Sequence, residues 1–343
     1  MESEMPASKR IEEIPELAGH ARKLTSLGYT QLDQLEGLLR ASPDALAKYL
    51  GTSPQDLTQL VSSVSPSGPS AMPAGVTHAM PLGARLTGII PPMTAMMRPP
   101  GLAASLPPSV NMIDQMQPIR DQGQRGTCVA HACTAVAEHY FRMQSGLTID
   151  LSRQFLYWDC KQNDNDPNGP GTWISVAMKC LTTDGCCLET TWPYDPAIIP
   201  GNESQSPPAD GASTEAANYV VPSFRQLPPT SLPDIKGELA AGRCVAFSIP
   251  VYNSWYLNNP AVQSTGAITN PIPGETTTEG HAMCFVGYED DATDIANGGG
   301  HFIIRNSWDS YWATNSVVGV TGYGTIPYSY INAYCAEAYS LGA

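Results

Sequence analysis

Between residues 63 and 105 the chain carries eight prolines and five methionines, and Arg85 and Arg98 are its only Lys, Arg, Asp or Glu residues. Each proline removes a backbone N–H and fixes φ, so no regular helix can cross this stretch. The 343-residue chain is thereby divided into a short N-terminal part, residues 1–62, a connection, and a C-terminal part, residues 106–343. The last is long enough for one sizeable globular domain. The connection is not uniformly polar, since Leu86-Thr87-Gly88-Ile89-Ile90 is too apolar for a solvated linker. It is either a flexible tether with an adhesive patch or a segment that lies along another surface of the same protein.

Residues 1–62 read as short helices. Thr30 with Asp33 and Ser53 with Asp56 each fit a capping box, and Ser42 before Pro43 fits an N-cap with proline at the first helical position. The start signals at Ser42 and Ser53 lie 11 residues apart, and leucines at 24, 27, 32, 35, 38, 39, 46, 50, 57 and 60 supply a small core. This part resembles small helix-hairpin-helix or SAM-like domains. It lacks the glycine-rich hairpin with which nucleic-acid-binding members hold phosphate, and it has six Lys/Arg against nine Asp/Glu. A protein-interaction role is favoured, with a folding or inhibitory appendage as the alternative.

The whole chain has a formal net charge of -14. Such a surface repels phosphate backbones and anionic lipid, so neither nucleic acid nor membrane is expected as a partner. No apolar run approaches the roughly 20 residues of a membrane-spanning helix. The N-terminal sequence MESEMPASKRIEEIPELAG lacks the apolar stretch of a secretory signal, so a cytoplasmic location is expected. A signal already removed stays open. The nine cysteines lack paired CxxC spacing, which argues against a zinc site and for buried thiols in a reducing compartment. No metal or cofactor is expected.

From Leu106 onward helical composition runs to about residue 205. Strand-like runs follow at Val245 to Ile249, Ala282 to Tyr288 and Phe302 to Arg305, an α+β arrangement of helices followed by antiparallel strands. In Gln122-Gly123-Gln124-Arg125-Gly126-Thr127-Cys128 two glycines make a turn, Thr127 can cap, and a helix runs from Cys128 to about Arg142. A cysteine at a helix N-terminus meets unpaired N–H groups and the positive end of the macrodipole, which favour a thiolate. Gly280-His281-Ala282 and Asn306-Ser307-Trp308 each place a polar side chain at the mouth of an apolar strand. A histidine can hold a thiolate and later protonate a leaving amine, and an amide oxygen on its other nitrogen fixes the tautomer.

These blocks resemble, in order and spacing, the papain and cathepsin family of cysteine peptidases. Leu151-Ser152-Arg153-Gln154 is similar to the family's Leu-Ser-x-Gln segment, and Trp192-Pro193-Tyr194 to its aromatic-Pro-Tyr segment. Gly322-Tyr323-Gly324 and Ile326-Pro327-Tyr328 resemble the closing strands of bacterial relatives. The resemblance spans about residues 106–335. It implies a two-lobed papain-like fold, with Cys128 as nucleophile, His281 as base and acid, Asn306 as orienting amide and Gln122 in the oxyanion hole. It implies also that Trp308 shields the histidine–asparagine bond and that Gly171 pairs with extended substrate. Gly280 forms a cleft wall that lends no charge to specificity.

Departures from the family pattern are Arg125 for a disulfide cysteine, Val129 for an aromatic residue and Asp309 for glycine. They suggest a branch without the secreted disulfides. His131 and Cys133 are expected to be packed or partly exposed helix residues. Cys186 and Cys187 are expected to be buried, with a disulfide to Cys160 left open. The acidic stretches Asp159 to Asp166 and Glu289 to Asp294 read as solvated turns, with calcium as the alternative.

The function expected is a cysteine endopeptidase acting on protein or peptide substrate. A silent papain-fold binding module and a peptide ligase or transpeptidase are the alternatives. Residues 63–105 occupy the place of a propeptide, so Leu82 to Met97 is expected to lie in the cleft. Residues 1–62 would then receive an activating protein partner.

Overall fold

In the computed structural model the described residues are 8–65, 82–86, 106–256 and 259–342. Four helices come first, α1 (Ala18–Thr25), α2 (Leu32–Ala41), α3 (Pro43–Leu50) and α4 (Pro54–Val64). Their leucines meet because they recur at helical spacing, and Leu24, Leu35, Leu38, Leu46 and Leu57 are buried together. Ser53 Oγ accepts the Asp56 N–H at 3.1 Å and Pro54 opens α4, as the start signal predicts.

Two of the start signals are corrected. The capping box of α2 is built by Gln31 and Gln34 rather than by Thr30 and Asp33. The Thr30 carbonyl accepts the Ile11 N–H at 2.9 Å and Gln31 bridges Arg10, so the chain stays extended one residue longer. Ser42 does precede Pro43 at the start of α3, but its hydroxyl donates to Glu275 at 3.2 Å instead of capping its own helix.

The helical unit is seated on the C-terminal part at Asn259, Asn270, Ile272 and Glu275. Ile272 completes the leucine core, and Tyr29 Oη donates to the Asn270 carbonyl at 2.7 Å. Gly37 of α2 lies against the Asn259 side chain so closely that a Cβ there would overlap it.

The C-terminal part runs β1 (Ser109–Asn111), α5 (Cys128–Ser145), α6 (Arg153–Asn163), α7 (Ile174–Thr183), α8 (Ala212–Ala216) and β2 (Phe224–Gln226). It continues α9 (Leu232–Ala240), β3 (Val245–Tyr252), α10 (Pro260–Thr265), β4 (Thr277–Asp290) and β5 (Gly300–Arg305). β6 (Tyr323–Pro327), α11 (Tyr328–Tyr334) and β7 (Glu337–Leu341) close it. The strands form one antiparallel sheet in the order β2-β7-β3-β4-β5-β6, with β1 added to β4. The three strand-like runs fall within β3, β4 and β5.

The expected division into helices and then strands is too simple. β1 precedes every α-helix of this part, and α9 to α11 lie among the later strands. Three-residue strands carry no period-2 signal, and they form because β4 and β7 offer them partners. Helix α5 is the centre of the helical lobe, and its small residues from Cys128 to Ala137 are buried where it packs against β4 and α6.

The stretch from Asp159 to Asp166 is not the solvated turn expected. Asp159 is buried, and Lys161 pairs with Asp164 at 2.7 Å with both side chains fully buried. The Glu289 to Asp294 turn is largely exposed. All nine cysteines are buried and free, including Cys160, Cys186 and Cys187. His131 and Cys133 are buried as well. Among the described residues no helix is long and apolar enough to cross a membrane.

Candidate active site

The turn before α5 aims its first residue into the interface of the two lobes. Gly123 takes a left-handed φ of 58°, and Thr127 is the N-cap without a side-chain cap of its own. The Thr127 hydroxyl instead shares a hydrogen bond of 2.6 Å with Tyr194 Oη, which donates to the Gln122 carbonyl at 2.8 Å. Cys128 is therefore a helix-start residue held from behind by the Trp192-Pro193-Tyr194 segment.

His281 lies in β4 opposite Ile249 of β3. Asn306 follows the last residue of β5, and its Oδ1 stands 2.8 Å from His281 Nε2. The same oxygen accepts the Ser307 N–H at 2.8 Å. An oxygen already accepting one N–H must be met by a protonated Nε2, which leaves Nδ1 as the imidazole's acceptor. Nδ1 has no hydrogen-bond partner among the described residues. Trp308, fully buried, stacks on the imidazole with ring centres 4.7 Å apart and planes at 27°. Trp255 and Tyr256 flank Trp308, so an aromatic wall keeps water from the histidine–asparagine bond.

Gln122 is tied to the same corner. Its N–H donates to the Ser307 carbonyl at 2.9 Å. Its Oε1 accepts from Ser307 Oγ at 2.6 Å and its Nε2 donates to the Arg125 carbonyl at 3.0 Å. The amide nitrogen thus faces the turn that leads into Cys128. Ser307, which sequence reasoning passed over, fixes this orientation, and only its place in Asn-Ser-Trp pointed to it.

The thiol of Cys128 meets the backbone of Ala282, the residue after His281, and the backbone of Gly83. Burial pushes the thiol up to about 11, and those backbone contacts oppose the shift without cancelling it. Burial likewise lowers His281 to about 4, against the opposing hydrogen bond from Asn306. The thiolate expected at the helix start is not favoured here. Desolvation pushes the thiol up and the imidazole down, so burial in this closed arrangement opposes the charge the helix start would favour.

The closure comes from residues 82–86, which run between the lobes. The Ala84 N–H donates to the Gly280 carbonyl at 3.1 Å, and the Arg85 N–H to the Thr172 carbonyl at 2.8 Å. The Thr172 N–H in turn donates to the Gly83 carbonyl at 3.0 Å. Ala84 is parallel to Thr172 and antiparallel to Gly280. A Cβ on Gly83 would overlap the Gly126 carbonyl, and one on Gly171 the Gly83 carbonyl, so three chain segments meet backbone to backbone. The segment expected in the cleft extended to Met97, and residues 87–97 lie outside the described residues.

Against residues 82–86 it is Thr172 and not Gly171 that pairs. The Gly171 N–H donates to Tyr157 Oη at 3.0 Å and its carbonyl accepts from Lys161 Nζ at 3.0 Å, so Thr172 presents the edge and Gly171 gives it room. Lys161 was not foreseen, because nothing in a lone lysine on a helix signals full burial. Gly280 brings no charge, as expected, but Glu279 beside it lines the same cavity. Arg125, in the place of a family disulfide cysteine, is buried between the rings of Tyr157 and Tyr194. It donates to Gln154 at 2.6 Å, to the Asp195 carbonyl at 2.9 Å and to the Glu203 carbonyl at 2.7 Å. It ties down noncovalently the loop that supports Thr127.

The thiol at the start of α5 thus lies against the strand that carries His281 of the histidine–asparagine pair, an arrangement suited to thiol chemistry. The family model described as papain family cysteine protease matches residues 106–328, and the chain belongs to that family. An uncharacterised peptidase C1-like protein of Acanthamoeba polyphaga mimivirus is 29% identical over 218 residues, which is 62% of this chain and 64% of that protein. Procathepsin L of Mus musculus is 25% identical over 225 residues, 64% of this chain and 61% of its own length. The chain thus spans less than two thirds of these curated relatives.

Among solved structures, xylellain, a cysteine protease from Xylella fastidiosa, is similar with a TM-score of 0.62 and 27% identity. That match covers 78% of this chain and 98% of xylellain. Digestive procathepsin L 3 of Tenebrio molitor has a TM-score of 0.55 over 95% of this chain and 98% of its own, at 18% identity, which speaks for the fold alone.

Proposed function

We propose that this chain is a cysteine endopeptidase with a Cys128–His281–Asn306 triad, held closed by residues 82–86. The observation that carries the chemistry is the Nε2–Oδ1 bond of 2.8 Å beneath Trp308, with the thiol against the next residue of the same strand. With the segment displaced, water and substrate enter and the desolvation that opposes charge on the thiol and the imidazole is relieved. His281 Nδ1 takes the Cys128 proton, and the thiolate adds to a peptide carbonyl carbon. The C–N bond breaks as the imidazolium gives that proton to the leaving amine. Water, losing a proton to Nδ1, then hydrolyses the thioester and restores the thiol.

Negative charge on the carbonyl oxygen is met by the Cys128 backbone N–H and the Gln122 amide, and a donor of this kind is worth about 3 kcal/mol in the transition state. The regulated reading rests on Gly83, which packs against the nucleophilic sulfur itself. The N-terminal helical unit, helix-hairpin-helix-like in its short capped helices, would receive an activating protein in a reducing, cytoplasmic setting. The likeness of the chain to xylellain supports a bacterial-type branch. Cys128→Ala is the test of the chemistry. Loss of all peptide cleavage is expected, and cleavage retained by that variant rejects the reading.

A further inference from the structure

The side chain of Arg85 fills a cradle that the closure alone does not require. Its Nη2 pairs with Asp166 and donates to the Pro170 carbonyl at 3.1 Å, and Nε reaches that carbonyl at 3.4 Å. Its guanidinium lies 4.9 Å from the centre of the Trp173 ring. A carboxylate, a carbonyl and an aromatic face together are the recognition set for a guanidinium.

The cradle is prepared by the fold and not by Arg85. Asp166 Oδ1 accepts the Gly169 N–H at 3.1 Å, and the Asp166 N–H donates to Asp164, the buried partner of Lys161, at 3.0 Å. Gly169 packs so tightly on the Asp166 carboxylate that a Cβ would overlap it. The cradle adjoins Thr172, whose carbonyl accepts the Arg85 N–H. Any extended peptide that takes the place of residues 82–86 along this edge brings a side chain to the same spot.

We propose that Asp166, Pro170 and Trp173 form a substrate subsite selective for arginine or lysine, occupied by Arg85 until the closing segment leaves. The inference rests on the peptidase reading and adds its specificity. Arg85 is then a stand-in for substrate as well as a latch. Glu279, which lines a cavity with Arg85 and Pro170, adds to the negative field of the opening.

The test uses the full chain carrying Gly83→Ala, which lifts the closing segment, together with Arg85→Ala, which empties the cradle, and a peptide library varied at each position around the cleaved bond. A basic residue should be preferred over alanine at one position by about tenfold in kcat/KM. That ratio should collapse on adding Asp166→Asn or, as an independent variant, Trp173→Leu. No basic preference at any position, or a preference that survives both changes, overturns the subsite. If no peptide is cleaved, the peptidase reading has failed and the subsite is decided by binding. Labelled Leu-Gly-Ala-Arg-Leu should then bind the Cys128→Ala/Gly83→Ala/Arg85→Ala chain about tenfold more tightly than Leu-Gly-Ala-Ala-Leu. Equal affinities overturn the subsite on that route too.

Discussion

Asn306 holds His281 through a single carboxamide oxygen, 2.8 Å from Nε2, while Trp308 stacks on the imidazole. Truncating Asn306 to alanine removes the group that selects the tautomer and leaves the ring to turn about its own bonds. A hydrogen bond that supports a developing imidazolium is worth about 1.5–3 kcal/mol, so Asn306→Ala should lower kcat/KM by roughly 10- to 100-fold. Peptide hydrolysis rates, read beside an unchanged far-ultraviolet circular dichroism spectrum, check this. A variant as fast as the parent removes Asn306 from the mechanism.

Gly83 tests the closure. Because a Cβ there would meet the Gly126 carbonyl, Gly83→Ala cannot seat residues 82–86 as found. Backbone overlap cannot be relieved by a rotamer change, so the segment must lift. A thiol-directed epoxide should label Cys128 several-fold faster in Gly83→Ala than in the parent, and basal peptide cleavage should rise in parallel. Identical labelling rates in the two chains contradict autoinhibition whether or not the protein cleaves peptides.

Lys161 is the hidden support of the cleft edge. Its ammonium is fully buried between Asp164 and the Gly171 carbonyl. Lys161→Met leaves the Asp164 charge buried and unpaired, a loss of about 3–5 kcal/mol that should lower the melting temperature by roughly 10 °C. Replacing both partners, as Lys161→Met with Asp164→Leu, should recover much of that stability. Calorimetry on the two variants distinguishes a lost partner from a lost packing volume.

Acid stability is coupled to His131. Its Nδ1 is 3.0 Å from the Thr127 carbonyl, which fixes the proton there, and Nε2 is buried without a partner among the described residues. Burial, and then the charge of Arg153, lower it from 6.5 to about 3. Between those values the unfolded chain binds a proton that the folded chain refuses, so folding weakens as pH falls from 6.5 towards 3, by up to about 1.4 kcal/mol per pH unit. Asp159 works in the opposite sense, since burial raises it from 3.8 to about 6 and its contribution is lost as pH rises through that value. The expected outcome is therefore a difference between chains. The drop in melting temperature from pH 7 to pH 5 should be smaller in His131→Gln than in the parent, and an equal drop excludes His131 as a source of acid sensitivity.

Much of the candidate site was legible from short strings of residues. Gln122, Cys128, His281 and Asn306 stand in motifs whose order and spacing carry the resemblance, and each motif is local. The supporting residues were not legible in this way. Ser307 matters because Gln122 arrives beside it from 185 positions away, and Lys161 because a neighbouring loop folds over it. Thr172 was confused with Gly171 because sequence shows that a glycine makes room but not whose hydrogen bonds use it. The seat of the helical unit was equally hidden, since Ser42 reads as a helix cap until Glu275 is placed beside it.

By itself the sequence determined which residue types could perform thiol chemistry and where helices α3 and α4 begin. Those properties follow from side-chain chemistry and backbone restriction within a few residues. Tertiary structure decided how deeply the thiol is buried, which backbone edge meets the closing segment and what Arg85 touches. Each of these depends on exclusion of water and on contacts between segments far apart in the chain, and no local pattern records them.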